Sequence, residues 1–454
     1  MHRYKAHLPL TFAFVFLLAA FVGYGGRQAS KLGPPLGNIL GQDARQVLRA
    51  AHEIATGNSP YAHALAFGRS PDFKEFMTWD AASNPYPPLV AVLAHPLLRL
   101  PMDDALRLWT GVNLGLVLLS ALVAAYSFTQ ASSVSRAARF ILILILFFVY
   151  APTQIDLKLV QLDILILFLL LFTYYLYRNG SNWAGIPLGL AMAVKPIVAP
   201  LLFFFLWKRH WRLSVITVGT AASLTVLGFS VAGWVHLPDY LEVNRLWASS
   251  AMLAFPFNQS VRGLSLRLFT PNIYNEPLLV LPWLAYLLPI LMGVLAVGGW
   301  LVSVSRADNR KEAANGIEYG LTLTTAMFLS PLVDDIHFVW ALMPLAALLL
   351  GSMDNLKNTR DFLWLVAYVL IALYLSSPFL HAAIYAGSAT LLEQSRLVAQ
   401  GKVLYTGAYL YGLIALDVCL GLYLSIRRAR AWPPRLWGTD SAHLLSASSP
   451  KRVL

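Results

Sequence analysis

The chain is a succession of long apolar runs, and that pattern limits its fold more than any motif. The runs lie at 8–24, 105–126, 140–150, 162–177, 213–235, 278–304, 319–329, 338–350, 362–375 and 404–426. A helix crosses the hydrocarbon layer of a bilayer with about 20 residues, and with fewer where the layer thins. The runs therefore read as an all-α, polytopic transmembrane bundle of about 10–12 spans.

Composition closes off the other classes. Of 454 residues, 58% are hydrophobic and 12% charged, and the mean hydropathy is +0.61. A soluble protein is about 45–50% apolar and about 25% charged. Too few charges remain here to cover a soluble surface, which excludes a cytosolic globular enzyme and a disordered chain. The single cysteine, Cys419, lies in an apolar run and excludes an intramolecular disulfide scaffold. The net charge of +12 would suggest nucleic acid on a soluble protein. Here most basic residues flank apolar runs, as the positive-inside rule expects, and no nucleic-acid partner is implied.

The same rule orients the chain. Arg3 and Lys5 precede the first run, which reads as a span with its N-terminus inside. Two stretches are open to a re-entrant or a spanning reading. Residues 88–100 are too short to span and contain His95 and Pro96, and 183–207 is broken by Lys195-Pro196. If both are re-entrant, Arg136/Arg139, Arg178, 208–212, 306–311, Lys357/Arg360 and 427–435 all fall inside. If both span, Arg136 and Arg139 move outside. The outer face then holds 25–87, 151–161, 236–277, 330–337 and 377–402. Residues 1–430 form one membrane domain and 431–454 a polar cytoplasmic tail. In the first outer loop, Asp43, Val47, Ala50 and Ile54 share a helical face, a pattern suited to a helix on the membrane surface.

No phosphate-binding loop, dinucleotide fingerprint, nucleophile elbow or metal-type Cys/His cluster is present. His337 beside Asp334 and Asp335 is weak as a metal site, and the sequence requires neither metal nor cofactor. The informative pattern is an ordered set of outer segments. These are GQDARQVLRAAHEIATGNSPYA, SNPYPPLVAVLAHPLLRLP, QIDLKLVQLDILIL, PFNQSVRGLSLRLF and FLSPLVDDIHFVWALMPLAALLL, with WAGIPLGLAMAVKPIVAP between the third and fourth.

Taken together these segments resemble the membrane-embedded glycosyltransferases of the GT-C type, and within them glycosyltransferase family 87. The resemblance implies a mannosyltransferase fed by a polyprenyl-phosphate sugar. It would be a plasma-membrane enzyme with an extracytoplasmic active site and a lipid or glycan acceptor. It implies Asp43 as catalytic base, followed by Gly57–Tyr61, with Tyr86–Pro88 as the family's Tyr-Pro-Pro segment. The family's Gly-Gln-x-Asn pattern reads Val160-Gln161-Leu162-Asp163 here. The late Ser-Pro…His pattern gives Ser330, Pro331 and a catalytic His337.

The residues fit that chemistry on their own terms. A sugar leaving with a lipid phosphate needs a base for the acceptor hydroxyl and a cation for the phosphate. Asp43 opens the amphipathic helix, as base, as N-cap, or as both. Lys158, Lys195, Arg262 and Arg267 are the cations available, with Asn258 and Gln259 just ahead of the two arginines. At i and i+5 the arginines do not quite share a helical face. Gln161 and Asp163 complete the substrate-binding set. Tyr61, Tyr86, Trp79 and Trp247 suit sugar stacking, although interfacial aromatics are expected in any membrane protein. The rival classes are a lipid-linked sugar flippase or transporter and a glycan polymerase or ligase. Transporters commonly carry two related halves, and no internal repeat is evident.

Overall fold

A computed structural model describes residues 41–68, 85–128, 135–272, 274–310, 312–353, 359–376 and 402–431. The span expected at 8–24, Trp79 and the tail beyond 431 lie outside the described residues. Among those described the protein is all-α. One isolated backbone bridge, Asn258 to Asp334, is the sole β-type pairing among them.

The helices run between two ends of a bundle. Helices α1 (Gln42–Ala55) and α2 (Pro88–Ala94) lie at one end, here the site end. From there α3 (Met102–Ser127) descends. Helix α4 (Arg136–Val149) returns and bends by 64° into α5 (Ala151–Leu159). Helix α6 (Asp163–Arg178) descends again. Helices α7 (Gly185–Val194) and α8 (Leu202–Trp207) flank Lys195 and the 3₁₀ turn Pro196–Leu201. Next come α9 (Trp211–Ala232) and, after two shorter helices at Leu237–Trp247 and Ser250–Leu253, α10 (Val261–Phe269), α11 (Pro282–Ser303) and α12 (Ala313–Leu329). After the 3₁₀ turn Asp335–Ala341 follow α13 (Leu342–Met353), α14 (Thr359–Leu375) and α15 (Ala408–Ala431). By length and composition α3, α9, α11 and α15 can each cross a membrane, and the bent pair α4–α5 makes a fifth. Other apolar helices are shorter because the chain breaks them. Pro196 and the extended Lys195 (φ −133°, ψ 95°) interrupt one long apolar stretch.

Both open stretches turn back to the end they came from. Tyr177, at the bottom of α6, meets Phe204, Phe205 and His210 with ring centroids 5.1–5.8 Å apart. Lys195, at the hairpin tip, meets Asp163 at the top of α6. Residues 182–207 are therefore re-entrant from the lower end. Likewise Leu89 packs on Gly228 near the top of α9, and Leu106 packs on Gly41. Residues 88–100 thus begin and end at the site end.

The lower end is basic and aromatic. Arg306 lies 3.9 Å above the Trp207 ring, Arg427 4.7 Å above Tyr423 and Arg310 5.4 Å above Tyr177. Aromatic rings and cations of this kind mark a membrane–water boundary. Lys208 is buried there. Its ammonium meets the Glu318 carboxylate and Asn309 Oδ1 at 2.8 Å and the Ser305 carbonyl at 2.9 Å, which fastens the 304–312 turn.

Helix α1 departs from its expected setting. Ala44, Val47, Leu48, Ala50 and Ala51 are all buried, packed against α2 and the core. The apolar stripe faces protein, not lipid, because α2 supplies a second apolar surface that the periodicity of α1 alone cannot reveal.

The hairpin that carries Lys195 is seated by two glycines. A Cβ on Gly185 or Gly189 would fall 2.6 Å from the carbonyl oxygens of Leu213 or Thr217 on α9. Small residues four apart let two helix backbones touch. Gly189→Leu should therefore destabilise the protein by about 1–3 kcal/mol or more through overpacking. Gly219→Leu, where nothing lies within 4 Å, should not. Thermal melting of both variants in detergent checks this, and equal melting temperatures would contradict the contact.

Candidate active site

The site is built on a buried charge pair. Lys195 Nζ donates to Asp163 Oδ2 at 2.6 Å, and the two residues are 5% and 0% exposed. Neither charge is tolerable alone at that depth, and each makes the other affordable. Asp163 opens α6, and its backbone carbonyl accepts from Trp340 Nε1 at 3.2 Å. The ammonium also lies 5.4 Å from the Tyr86 ring centroid and 5.9 Å from that of Trp340. An ion pair walled by two aromatic rings thus joins α6, the hairpin, the 85–87 turn and the Asp335–Ala341 turn.

Asp43 sits beside this pair. The N-cap of α1 is Gly41, in the left-handed region at φ 68°, and no side chain caps the helix. Asp43 is one residue inside the helix, so the N-cap alternative does not apply. Its Oδ2 accepts a close hydrogen bond from Gln161 Nε2, and its Oδ1 faces Gln46 Nε2 at 3.4 Å. Tyr86 in turn donates its phenol proton to Gln161 Oε1 at 2.8 Å. Lost hydration pushes the Asp43 carboxyl up to about 7, against the pull of the Gln161 donor and the Lys195 charge. Asp334 is pushed up to about 8, first by burial and then by the charge of Asp335. A carboxyl that titrates near neutrality is suited to general-base work.

Gln161 is aimed by its backbone. Val160 caps α5 in the left-handed region, at φ 55° and ψ 51°. This is the position where the family pattern has glycine, and the turn persists with a β-branched residue at a cost of about 1–2 kcal/mol. The Gln161 N–H donates to the Asp156 carbonyl at 3.1 Å, and its carbonyl accepts from Asn113 Nδ2 at 2.9 Å.

His337 closes the far side. Its Nδ1 accepts the Asp334 backbone N–H at 3.0 Å, so in the neutral ring Nε2 carries the proton. The ring stands edge-on to Trp340 with centroids 4.9 Å apart. Among the described residues no three His, Cys, Asp or Glu side chains are placed to share a metal ion.

The structure thus brings together Asp43, Tyr86, Gln161, Asp163, Lys195 and His337. Lys158 is adjacent: its carbonyl accepts from Gly41 N at 2.8 Å, and its ammonium has no hydrogen-bond partner among the described residues. The other expected residues are committed to the fold. Tyr61 is fully buried and donates to the Tyr86 carbonyl at 2.9 Å, so it braces the site and presents no face to a sugar. Trp247 packs in the same small cluster as Tyr61. Asn258 donates to the Leu253 and Pro331 carbonyls, and Gln259 to those of Pro256 and Thr406. Arg267 is fully buried, with its donors on the carbonyls of Phe255, Asn258 and Thr406. Arg262 lies 3.8 Å above the Tyr286 ring and donates to the Ala285 carbonyl, which ties α10 to α11.

Two features escaped the sequence reading. Trp340 lies there within the apolar run 338–350, yet it contacts both His337 and the ion pair. Asp156 is fully buried, and among the described residues no side chain hydrogen-bonds either of its carboxylate oxygens. The Asp163–Lys195 pairing did leave a signal, because two opposite charges each interrupt an apolar run.

Comparison with known proteins bears on this arrangement. The sequence model of glycosyltransferase family 87 matches residues 84–331. That stretch includes Tyr86, Gln161, Asp163 and Lys195, while Asp43 and His337 lie beyond its limits. An alpha-(1→3)-arabinofuranosyltransferase of Mycolicibacterium smegmatis is 30% identical over 227 residues, 48% of each chain. One from Corynebacterium glutamicum is 26% identical over 213 residues, 46% of each chain. A third, from Mycobacterium tuberculosis, is 27% identical over 205 residues, 42% of this chain and 46% of its own. Each alignment spans about half the length of the curated relative.

The ion pair gives a test of the site's construction. Lys195→Met leaves Asp163 buried and uncompensated, and should cost about 3–5 kcal/mol. Adding Asp163→Asn should recover most of that loss. Melting temperatures of the two single variants and the double variant form the cycle, and additive losses would show that the residues do not depend on each other.

Proposed function

Because the chain belongs to glycosyltransferase family 87, we propose that it moves a sugar from a polyprenyl-phosphate carrier to a lipid or glycan acceptor. The observation that carries this reading is Asp43, held by Gln161 and titrating at about 7. As general base Asp43 takes the proton of an acceptor hydroxyl. The hydroxyl oxygen forms the new bond to the anomeric carbon, and the carbon–oxygen bond to phosphate breaks. The electron pair leaves with the polyprenyl phosphate, and a single displacement inverts the anomeric centre. Lys158, whose carbonyl holds the start of α1 and whose ammonium has no hydrogen-bond partner among the described residues, is the cation left for the leaving phosphate. Lys195 is engaged by Asp163, and Arg262 by the face of Tyr286. His337 Nε2–H is a neutral donor for a sugar hydroxyl or a phosphate oxygen.

The orientation follows from charge. Arg136, Arg178, Lys208, Arg306 and Arg310 gather at the end opposite Asp43, which by the positive-inside rule supports a reading with that end in the cytoplasm and the protein in the cell membrane. The site then faces outward, where a lipid carrier supplies the sugar. Mannose is the sugar implied by the segment order. The relatives, which are arabinofuranosyltransferases, favour an arabinofuranosyl unit as the second reading. Purified protein offered polyprenyl-phosphate mannose and polyprenyl-phosphate arabinofuranose, with product linkage determined, separates them.

Asp43→Asn keeps the shape and removes the base. It should lower turnover about 10²–10⁴-fold with little change in melting temperature. Substantial activity in a folded Asp43→Asn protein would remove Asp43 from the reaction. The base works ionised, so kcat/KM should rise with pH and reach half its plateau near pH 7. A rate that falls as pH passes through 7 would assign Asp43 the opposite role, that of an acid.

A further inference from the structure

The polar groups around Asp43 have their donors and acceptors fixed by one another. An ionised carboxylate only accepts hydrogen bonds. The end of Gln161 that touches Asp43 is therefore its NH₂, and the opposite end, Oε1, faces Tyr86. Since Oε1 accepts, the phenol must donate, and its one proton is used on Gln161. Tyr86 thus has no proton left for a sugar. Desolvation holds its phenol well above the ordinary range, so that proton stays in place.

Both members are fixed from behind. The Tyr86 carbonyl accepts from Tyr61, its ring lies beneath the Lys195 ammonium, and Pro87 and Pro88 follow it in the chain. Gln161 is bonded through both backbone groups, to Asn113 and Asp156, and sits after the left-handed Val160. On Asp43, Oδ2 is taken by Gln161, while among the described residues Oδ1 has only the long contact to Gln46.

We propose that Tyr86 and Gln161 are a positioning relay for Asp43: they hold Oδ2 so that Oδ1 is the oxygen that receives the acceptor's proton. The relay deepens the reading of Asp43 as base and rests on it. It reassigns Tyr86 and Gln161 from contacting sugar to aiming the base. The other groups that act electrostatically on Asp43 are Lys195, Asp163, Asp335, Asp156 and Asp334. Gln161 donates directly to the ionised form, so losing the relay makes Asp43 harder to ionise.

The test compares Tyr86→Phe, Gln161→Leu, the double variant and Asp43→Asn by steady-state kinetics across pH. Tyr86→Phe keeps the ring under Lys195 and removes the phenol, which is the donor to Gln161 and also an acceptor for Lys195. It should lower kcat about tenfold, the effect of one hydrogen bond, with KM for donor and acceptor within about twofold. The acid limb of its pH profile should move to higher pH. Gln161→Leu should move the limb further, by about one unit, and the double variant should be no worse than Gln161→Leu alone. If Gln161→Leu does not fold, the limb of Tyr86→Phe decides. An unmoved acid limb in active Tyr86→Phe, a loss confined to KM, or additive losses in the double variant would overturn the relay. Inactive Asp43→Asn beside normal Tyr86→Phe sinks the relay alone, whereas active Asp43→Asn sinks the base and the relay together.

Discussion

The Asp163–Lys195 ion pair is the interaction on which the rest of the site depends. Both residues lie where water does not reach, and a lone charge there costs several kcal/mol. The pair is therefore a strong constraint on folding, since the hairpin tip and the top of α6 must meet or both charges are stranded. Once they meet, Tyr86 and Trp340 have a cation to face, and Tyr86 fixes Gln161. Glycines at 185 and 189 let the hairpin lie close enough to α9 for its tip to reach that depth. Backbone contact, ion pair, aromatic wall and amide form one chain of cause that ends at Asp43.

The rim around this centre is built by different means. Asn258, Gln259 and Arg267 spend their donors on carbonyls in the 253–259 and 406 segments. They stabilise an irregular stretch whose backbone groups have no helix to satisfy them. Arg267 does for that loop what Lys208 does for the 304–312 turn at the opposite end. Each is a long cation that gathers carbonyl oxygens where the chain reverses.

Much of the architecture was legible in the sequence because apolar periodicity and flanking charge are local signals. They gave the all-α class, the helix opening at 42–43 and the basic end. The hairpin was half legible: Lys195-Pro196 announces a break, but only the contacts of Tyr177 and Asp163 decide which end it returns to. Gln161 and Tyr86 were visible as members of a set, though not as partners, since 75 positions separate them. Arg267 and Asn258 misled for a related reason. A polar side chain in a loop looks the same whether it faces a ligand or repairs the backbone, and only its burial and hydrogen-bond partners tell the two apart.

Helix α6 has a further consequence for where substrate must go. It spans 16 residues, about 24 Å at 1.5 Å per residue, against a hydrocarbon layer of about 30 Å. Arg178 at its foot belongs to the basic, aromatic end that marks one membrane boundary. Asp163 at its head therefore stops several ångströms short of the other boundary, and Asp43 is tethered to it through Tyr86 and Gln161. We infer from this length that the candidate site is a sunken one, below the level at which a lipid headgroup ordinarily floats. The polyprenyl-phosphate donor proposed above would reach it sideways, by drifting through the membrane plane and dipping its phosphate. On the same proposal an acceptor arriving from water bends down to that depth, and its length and stiffness become selection criteria in their own right.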